Sequence, residues 1–448
     1  MVCQTTYQDM LKKSKYLHLC KNNIVWHSLL GKSMGVSDEL YKKLKKNISF
    51  DKCDTMEIKE LVQQKFISTD RTDDSLLKKA KKKIEDTGFN NLFLIMTNQC
   101  NLACKYCFYQ NSHGLNQNKM SFETAKKAVD LFAKNRTKNE NSLDWFSQIT
   151  FYGGEPLLNF DCIEKITEYI QRLKSERKLS SKTQLVINTN GTLISEKVLD
   201  WAKKYNVQVQ ISIDGNKDVH DKNRVFPNQK GSYEKTTQGL NKLVDKKIDV
   251  LPLITVTNDN MAHLPELVYD LCKKDQLKYY GMNLLIDLGD KPIANYPEKA
   301  AQQMVKTCKK TSEIAVSDDS IESIFQRLQY FDIVKQSCGI SRKMTVFPDG
   351  NIFSCQAISD HKKALIGNVD EGLINTNNIK YWKNYSRFNS PKCLKCKYIA
   401  LCGGGCVASA FFRHKHLGKI DEHYCRWIKY IMNKNFDPTN YLIRGNQC

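Results

Sequence analysis

The stretch TNQCNLACKYCFYQ, residues 97–110, puts Cys100, Cys104 and Cys107 on one short loop. Three thiolates in a C-x3-C-x2-C run can hold three irons of a cubane cluster and leave the fourth iron open. Electron-transfer clusters mostly use four cysteines, so a set of three points to an iron that binds a substrate or cosubstrate. A zinc knot is the competing reading, because C-x2-C pieces often bind zinc. Zinc needs four ligands in a closed tetrahedron, and no fourth Cys or His follows the loop before His113.

Outward from the loop, the pattern from residue 91 is strand, loop, helix, repeated. LFLIMT (92–97) leads into the cysteine loop and SFETAKKAVDLFAK (121–134) reads as a capped helix. QITFY (148–152), QLVINT (184–189), VQVQIS (207–212), DVLPLITV (249–256) and YYGMNLLI (279–286) each precede a segment with helical spacing. Six such units in series predict a parallel sheet wound by right-handed crossovers. In such folds the loops at the carboxyl ends of strands carry the chemistry. Three of those ends stand out. Tyr152-Gly153-Gly154-Glu155-Pro156 follows the second strand, Asn188-Thr189-Asn190-Gly191 the third, and Ser212-Ile213-Asp214-Gly215 the fourth, with His220, Asp221 and Arg224 close behind. Glycines let a backbone approach a ligand closely.

Farther on, Cys338, the Gly350-x4-Cys355 piece, the run Cys393-x2-Cys396-x5-Cys402-x3-Cys406, and Cys425 form a second cysteine field. A zinc ribbon over 393–406 is the plain alternative there. The remaining cysteines (3, 20, 53, 162, 272, 308 and 448) are scattered and read as buried small hydrophobes or surface thiols without a role.

Taken with the cysteine loop and the glycine-glycine-glutamate piece, this pattern resembles the radical S-adenosylmethionine (SAM) superfamily, and the second field resembles its SPASM extension. The resemblance covers about residues 91–430. It implies an α/β fold: a partial (β/α)6 barrel at 91–330, a small N-terminal α+β peptide-recognition-like domain with its linker at 1–90, and a C-terminal cysteine-rich SPASM domain at 331–448. It implies three [4Fe–4S] clusters and SAM as cofactors. Cys100, Cys104 and Cys107 would hold the SAM-binding cluster; Cys338, Cys355 and Cys406 an inner auxiliary one; Cys393, Cys396, Cys402 and Cys425 an outer one. Only three ligands are evident for the inner cluster, and its fourth position stays open between a substrate thiol and another ligand. Candidate SAM contacts by resemblance are Tyr106, Phe108, Gly153, Gly154, Glu155, Asn190, Ser212, Asp214 and Arg224. No catalytic side chain is assigned.

The N-terminal runs KYLHLC (15–20) and NIVWHSL (23–29), joined by Lys-Asn-Asn, predict a hairpin. VSDELYKKLKK follows with a Ser37 cap signal, then MEIKELVQQKFI and the charged DDSLLKKAKKKIEDTG as helices. Strands then helices resemble the winged-helix-like leader-recognition segment of peptide-modifying radical SAM enzymes, the bland alternative being a structural cap.

Net charge is +21, but the lysines lie in short, scattered runs. They read as solvated helix faces, with a basic groove for an acidic peptide as the second reading. No apolar run is long enough to span a membrane, the N-terminus has no signal-peptide segment, and seventeen cysteines in such a chain read as metal ligands of a cytoplasmic protein. The expected function is a radical SAM maturase of a ribosomally made, leader-bearing precursor peptide. It would form thioether or carbon–carbon crosslinks and be served by a flavodoxin- or ferredoxin-type electron donor, with no nucleic-acid or membrane partner. Two alternatives remain. An anaerobic sulfatase maturase would make formylglycine, but that branch begins close to the cysteine loop and carries an Asp after the cysteine matching Cys355. This chain has about 90 residues before the loop, and Gln356. A non-catalytic zinc- or nucleic-acid-binding protein would account for the charge but not for the open three-cysteine loop.

Overall fold

The computed structural model describes residues 10–50, 55–83, 88–109, 118–136, 147–286, 296–319 and 338–434. Cys3, Cys53, Cys448, His113 and the expected domain boundary at 330/331 lie outside the described residues.

The first unit is a three-stranded antiparallel sheet, β1 (Leu17–Leu19), β2 (Ile24–His27) and β3 (Lys32–Gly35), followed by α1 (Asp38–Lys45), α2 (Met56–Gln63) and α3 (Asp70–Lys83). The β1–β2 hairpin turns through Asn22 and Asn23, both at positive φ (55° and 56°), a conformation that asparagine tolerates better than most residues. Ser37 caps α1 by accepting from Leu40 N at 3.2 Å. The helix expected over MEIKELVQQKFI stops at Gln63. Lys65 turns at φ 65°, and Ile67–Ser68 leaves to pair antiparallel with Lys12–Lys13.

The central strands are β4 (Asn91–Thr97), β5 (Gln148–Gly153), β6 (Gln184–Thr189), β7 (Gln208–Ser212), β8 (Val250–Val256) and β9 (Tyr279–Leu284), all parallel and in serial order. Their helices are α4 (Phe122–Asn135), α5 (Phe160–Ser175), α6 (Glu196–Lys204), α7 (Lys217–Asn223), α8 (Tyr233–Asp245), α9 (Leu264–Lys274) and α10 (Tyr296–Ser312). Ser121 and Ser195 cap α4 and α6. A short strand, β10 (Ser317–Asp318), extends the sheet beyond β9.

Alternation along each strand separates two faces. Leu92, Leu94 and Met96 of β4, with Val209 and Ile211 of β7, join the apolar layer that the helices cover. The opposite, concave face is polar: Gln148 bonds Thr150 at 2.8 Å, Asn188 bonds Gln210 at 3.2 Å and Gln210 bonds Gln208 at 3.3 Å.

The second cysteine field is continuous with this sheet. β11 (Lys343–Val346) pairs parallel with β4, and β12 (Asn351–Phe353) and β13 (Leu365–Asn368) continue antiparallel beyond it. The field's helices include α11 (Val407–His414) and α12 (Glu422–Lys434), and α12 sets Trp427 Nε1 against Met304 of α10. The lysines are spread over the surface, many in exposed pairs such as Lys197–Glu164 and Lys310–Glu266. Among the described residues no helix is long and apolar enough to cross a membrane.

Candidate functional site

β4 ends at Thr97, and the cysteine loop leaves its carboxyl end. Ala103 N donates to Val225 O (2.7 Å) and Lys105 N to Asn223 O (2.9 Å), while Gly154 N and Glu155 N donate to Thr97 O (3.0 Å) and Gln99 O (2.8 Å). The glycine pair therefore has a concrete local reason. A Cβ on Gly153, at φ 136°, would stand 2.3 Å from Thr97 O, and one on Gly154 would stand 2.2 Å from Gln99 O. What these glycines admit is the backbone of the cysteine loop. Gly154→Ala is expected to displace that loop and to cost about 1–3 kcal/mol, the usual range for overpacking. Thermal melting of the metal-free protein measures it, and an unchanged midpoint would refute the close-approach argument.

Glu155 is fully buried. It accepts from Leu157 N (3.1 Å), Thr189 Oγ1 (2.7 Å) and Asn190 N (2.8 Å), and so binds the end of β5 to the end of β6. Burial pushes its carboxyl up to about 7 against the pull of these donors. Asn190 reaches the other way, with Nδ2 at 2.8 Å from Asn101 Oδ1 and 4.0 Å from Cys100 Sγ.

At the end of β7, Asp214 is buried and receives Arg224 Nε at 3.0 Å, the Tyr106 hydroxyl, and Thr255 N at 3.1 Å. The guanidinium carbon lies 5.4 Å from the Tyr106 ring centroid. Burial works against the Arg224 charge, but Asp214, Tyr106 and Cys104 more than offset it and raise its pKa above the ordinary guanidinium value. His220 and Ser232 (3.0 Å) sit behind Asp214, His220 Nδ1 accepting from its backbone N at 3.4 Å.

These strand ends surround a cavity of about 650 Å³. Cys100, Cys104 and Cys107 line one part of it, and Cys338, Cys355 and Cys406 line another. Tyr106, Phe108, Gly153, Gly154, Asn190, Ser212 and Arg224 are on its wall; Glu155 and Asp214 are behind it, tied to protein groups. Tyr109, Tyr152, Lys343 and Trp427 also face the cavity. Sequence reasoning quoted Tyr152 at its strand end and Tyr109 in the cysteine loop without giving either a role, and it passed over Lys343 and Trp427.

Burial raises the thiol pKa of Cys100, Cys402 and Cys406 to about 12 each, and neighbouring cysteines add to it. The neighbours fall into separate sets: Cys104 and Cys107 act on Cys100, Cys338 and Cys355 on Cys406, and Cys425, Cys396 and Cys393 on Cys402. Such thiols must lose their protons to bind metal, so metal binding would release them. Among the described residues no three His, Cys, Asp or Glu side chains converge on a single-ion centre. A four-iron cube, with a thiolate at each of several corners, needs them farther apart. Three glycines at positive φ, Gly403 (58°), Gly404 (91°) and Gly405 (77°), carry the chain from Cys402 to Cys406. Cys20, Cys162 and Cys272 are buried apart from these sets.

Residues 94–271 match the Radical SAM superfamily. The chain is 27% identical to a cysteine-type anaerobic sulfatase-maturating enzyme of Clostridium novyi, over 78% of this chain and 95% of that one. It is 24% identical to the radical SAM cyclopropyl synthase TigE of Paramaledivibacter caminithermalis, over 96% and 97%. Among solved structures it is similar to anSMEcpe with bound AdoMet (TM-score 0.65, 21% identity, 79% of this chain and 99% of that one). It is also similar to Streptococcus suis SuiB bound to its precursor peptide SuiA (TM-score 0.53, 14% identity, 90% and 97%).

Proposed function

Because this chain is a radical SAM enzyme, we propose that it matures a ribosomally made precursor peptide by forming thioether or carbon–carbon crosslinks. The observation that carries this reading is the single cavity, whose wall bears both the first cysteine loop and Cys338, Cys355 and Cys406. A hydrogen-abstracting centre and a sulfur- or electron-accepting centre can then act on one peptide segment without its release. Cys100, Cys104 and Cys107 would hold the SAM-binding [4Fe–4S] cluster, with Cys338, Cys355 and Cys406 the inner auxiliary cluster and Cys393, Cys396, Cys402 and Cys425 the outer one. When bound, these groups and SAM supply one-electron chemistry and a hydrogen-abstracting radical.

The chain's own residues orient and enclose. Gly154 and Asn190 offer backbone and amide groups beside Cys100, and Ser212 offers a hydroxyl to the nucleoside. Arg224, held through Nε by Asp214, turns its remaining donors to a carboxylate. The aromatic wall of Tyr106, Phe108, Tyr109 and Tyr152 excludes water. Residues 1–90 would bind the leader, 91–330 form the barrel and 331–448 carry the auxiliary clusters, with a flavodoxin- or ferredoxin-type protein as electron donor. SuiB bound to its precursor peptide, similar over 90% of this chain, supports a peptide substrate.

The Clostridium novyi relative favours a second reading, formylglycine formation. Against it stands Gln356, whose amide cannot serve as a general base. Its Oε1 is buried without a hydrogen-bond partner beside the cavity.

Mass spectrometry after anaerobic reconstitution with SAM and reductant separates the two. A cysteine-containing peptide encoded beside the gene, if one exists, and a sulfatase-derived Cys peptide are offered together. Loss of two hydrogens per crosslink from the former, with thiols no longer alkylatable, is the expected thioether result; free thiols would indicate a carbon–carbon bond. An aldehyde on the sulfatase peptide alone would overturn the proposal.

A further inference from the structure

The N-terminal unit does more in this structure than sit beside the parallel sheet. It grips the loop that carries two cysteines of the outer set. Tyr16 Oη donates to Leu394 O at 3.3 Å, and Ser28 Oγ shares its one proton between Lys397 O and Tyr16 O, each at 3.2 Å. His18 Nε2 lies 3.2 Å from the same Lys397 oxygen. A carbonyl only accepts, so Nε2 carries the proton. The Leu394 and Lys397 carbonyls belong to the residues directly after Cys393 and Cys396.

The N-terminal side of the grip is buried and layered. Tyr16, His18 and Ser28 are all buried. The His18 ring lies against Trp26 (4.9 Å between centroids, tilted 38°) and Tyr398 (5.3 Å, tilted 30°). Around it Leu76, Leu77 and Ala80 of α3 pack with Phe388, Ile399 and Ala400, and Cys393 and Leu394 lie against that cluster. Within the loop, Cys396 N donates to Cys393 O at 2.9 Å and Cys402 N to Tyr398 O at 3.0 Å. The carbonyls of Leu394 and Lys397 belong to the peptide units one residue past Cys393 and Cys396, so holding them restrains the backbone that leaves each cysteine.

We infer that Tyr16, His18 and Ser28 are positioning residues for the outer cysteine set, and that the N-terminal unit fixes the geometry of the Cys393–Cys396 loop. The inference rests on the reading of that set as a cluster site. It also gives the N-terminal unit a task that leader binding alone does not require. Hydrogen bonds to a ligand loop and rigidity of the surrounding shell are levers on both metal affinity and reduction potential.

The test uses the full chain with His18→Phe, which keeps a stacking ring and removes the donor, and His18→Gln, which restores an N–H at a similar reach. In metal-free protein, alkylation of Cys393 and Cys396, followed by peptide mass spectrometry, is expected to be about fivefold faster in His18→Phe, as expected for local opening with one hydrogen bond fewer. His18→Gln should return it toward the parent rate, with Cys100, Cys104 and Cys107 as internal references. After reconstitution, the midpoint potential of one auxiliary cluster, followed by electron paramagnetic resonance, should shift in His18→Phe and not in His18→Gln. Unchanged alkylation at Cys393 and Cys396, or an equal rise at every cysteine, overturns the inference. Tyr16→Phe with Ser28→Ala repeats the test should His18→Phe fold poorly. Cys396→Ala separates the underlying reading: loss of about a third of the bound iron is expected if the outer set holds one of three clusters. No loss there refutes the cluster reading, while the alkylation result still judges the grip.

Discussion

Cys104→Ala is expected to reduce SAM cleavage to background while leaving the protein folded. Cys104 is one of three thiols on a loop whose backbone is held from outside, by Ala103 N to Val225 O and Lys105 N to Asn223 O. Neither bond involves the cysteine side chain, so the loop path survives the substitution. Truncating a partly buried thiol to a methyl group removes little apolar area, and the stability change should stay near 1 kcal/mol. Function has no such reserve. Two thiolates cannot hold three irons of a cubane and leave only one open. Chromatographic assay of 5′-deoxyadenosine after anaerobic reconstitution gives the answer. Product at the parent rate would show that the loop does not hold the SAM-binding cluster, and would undo the proposed function with it.

Much of the α/β unit was legible because its signals are local. Each strand is a short apolar run, each helix has 3.6-residue spacing, and Ser121 and Ser195 announce two helix starts. The Asn22–Asn23 turn was legible for the same reason. What was not legible depends on partners far apart in sequence. The pairing of Lys343–Val346 with Asn91–Leu94 merges the second cysteine field into the parallel sheet, and nothing within either segment announces the other. Helical propensity ran past Gln63 because the competing pull on Ile67–Ser68 comes from Lys12–Lys13. The glycine pair was noticed but its reason was not, since the Thr97 and Gln99 carbonyls that demand it lie more than fifty residues earlier. Among the site residues, resemblance named Arg224 and Asp214 as candidates, but only the fold joins them.

That ion pair allows stability and binding to be separated in one experiment. Arg224 and Asp214 are both buried, and Asp214 also receives Tyr106 Oη and Thr255 N. Removing one member of a buried pair leaves an uncompensated charge, so Arg224→Ala should cost about 3–5 kcal/mol. Pairing it with Asp214→Asn removes that charge, while the amide oxygen still accepts from Thr255 N and the amide NH2, in place of the second oxygen, donates to the Tyr106 hydroxyl oxygen. The double variant should therefore recover most of the lost stability in a chemical-denaturation or thermal series. Binding should behave differently. Asp214 is behind the cavity wall and Arg224 is on it, so the double variant still lacks the guanidinium edge offered to a carboxylate. A charged hydrogen bond is worth about 1.5–3 kcal/mol, and SAM affinity should remain at least about tenfold weak in both variants. Calorimetric titration of reconstituted protein with SAM compares them. If the double variant regains both stability and parent affinity, Arg224 serves only to neutralise Asp214. If stability returns and affinity does not, the carboxyl end of β7 is a ligand-binding end of the sheet, with Asp214 the buried group that aims Arg224 at the ligand.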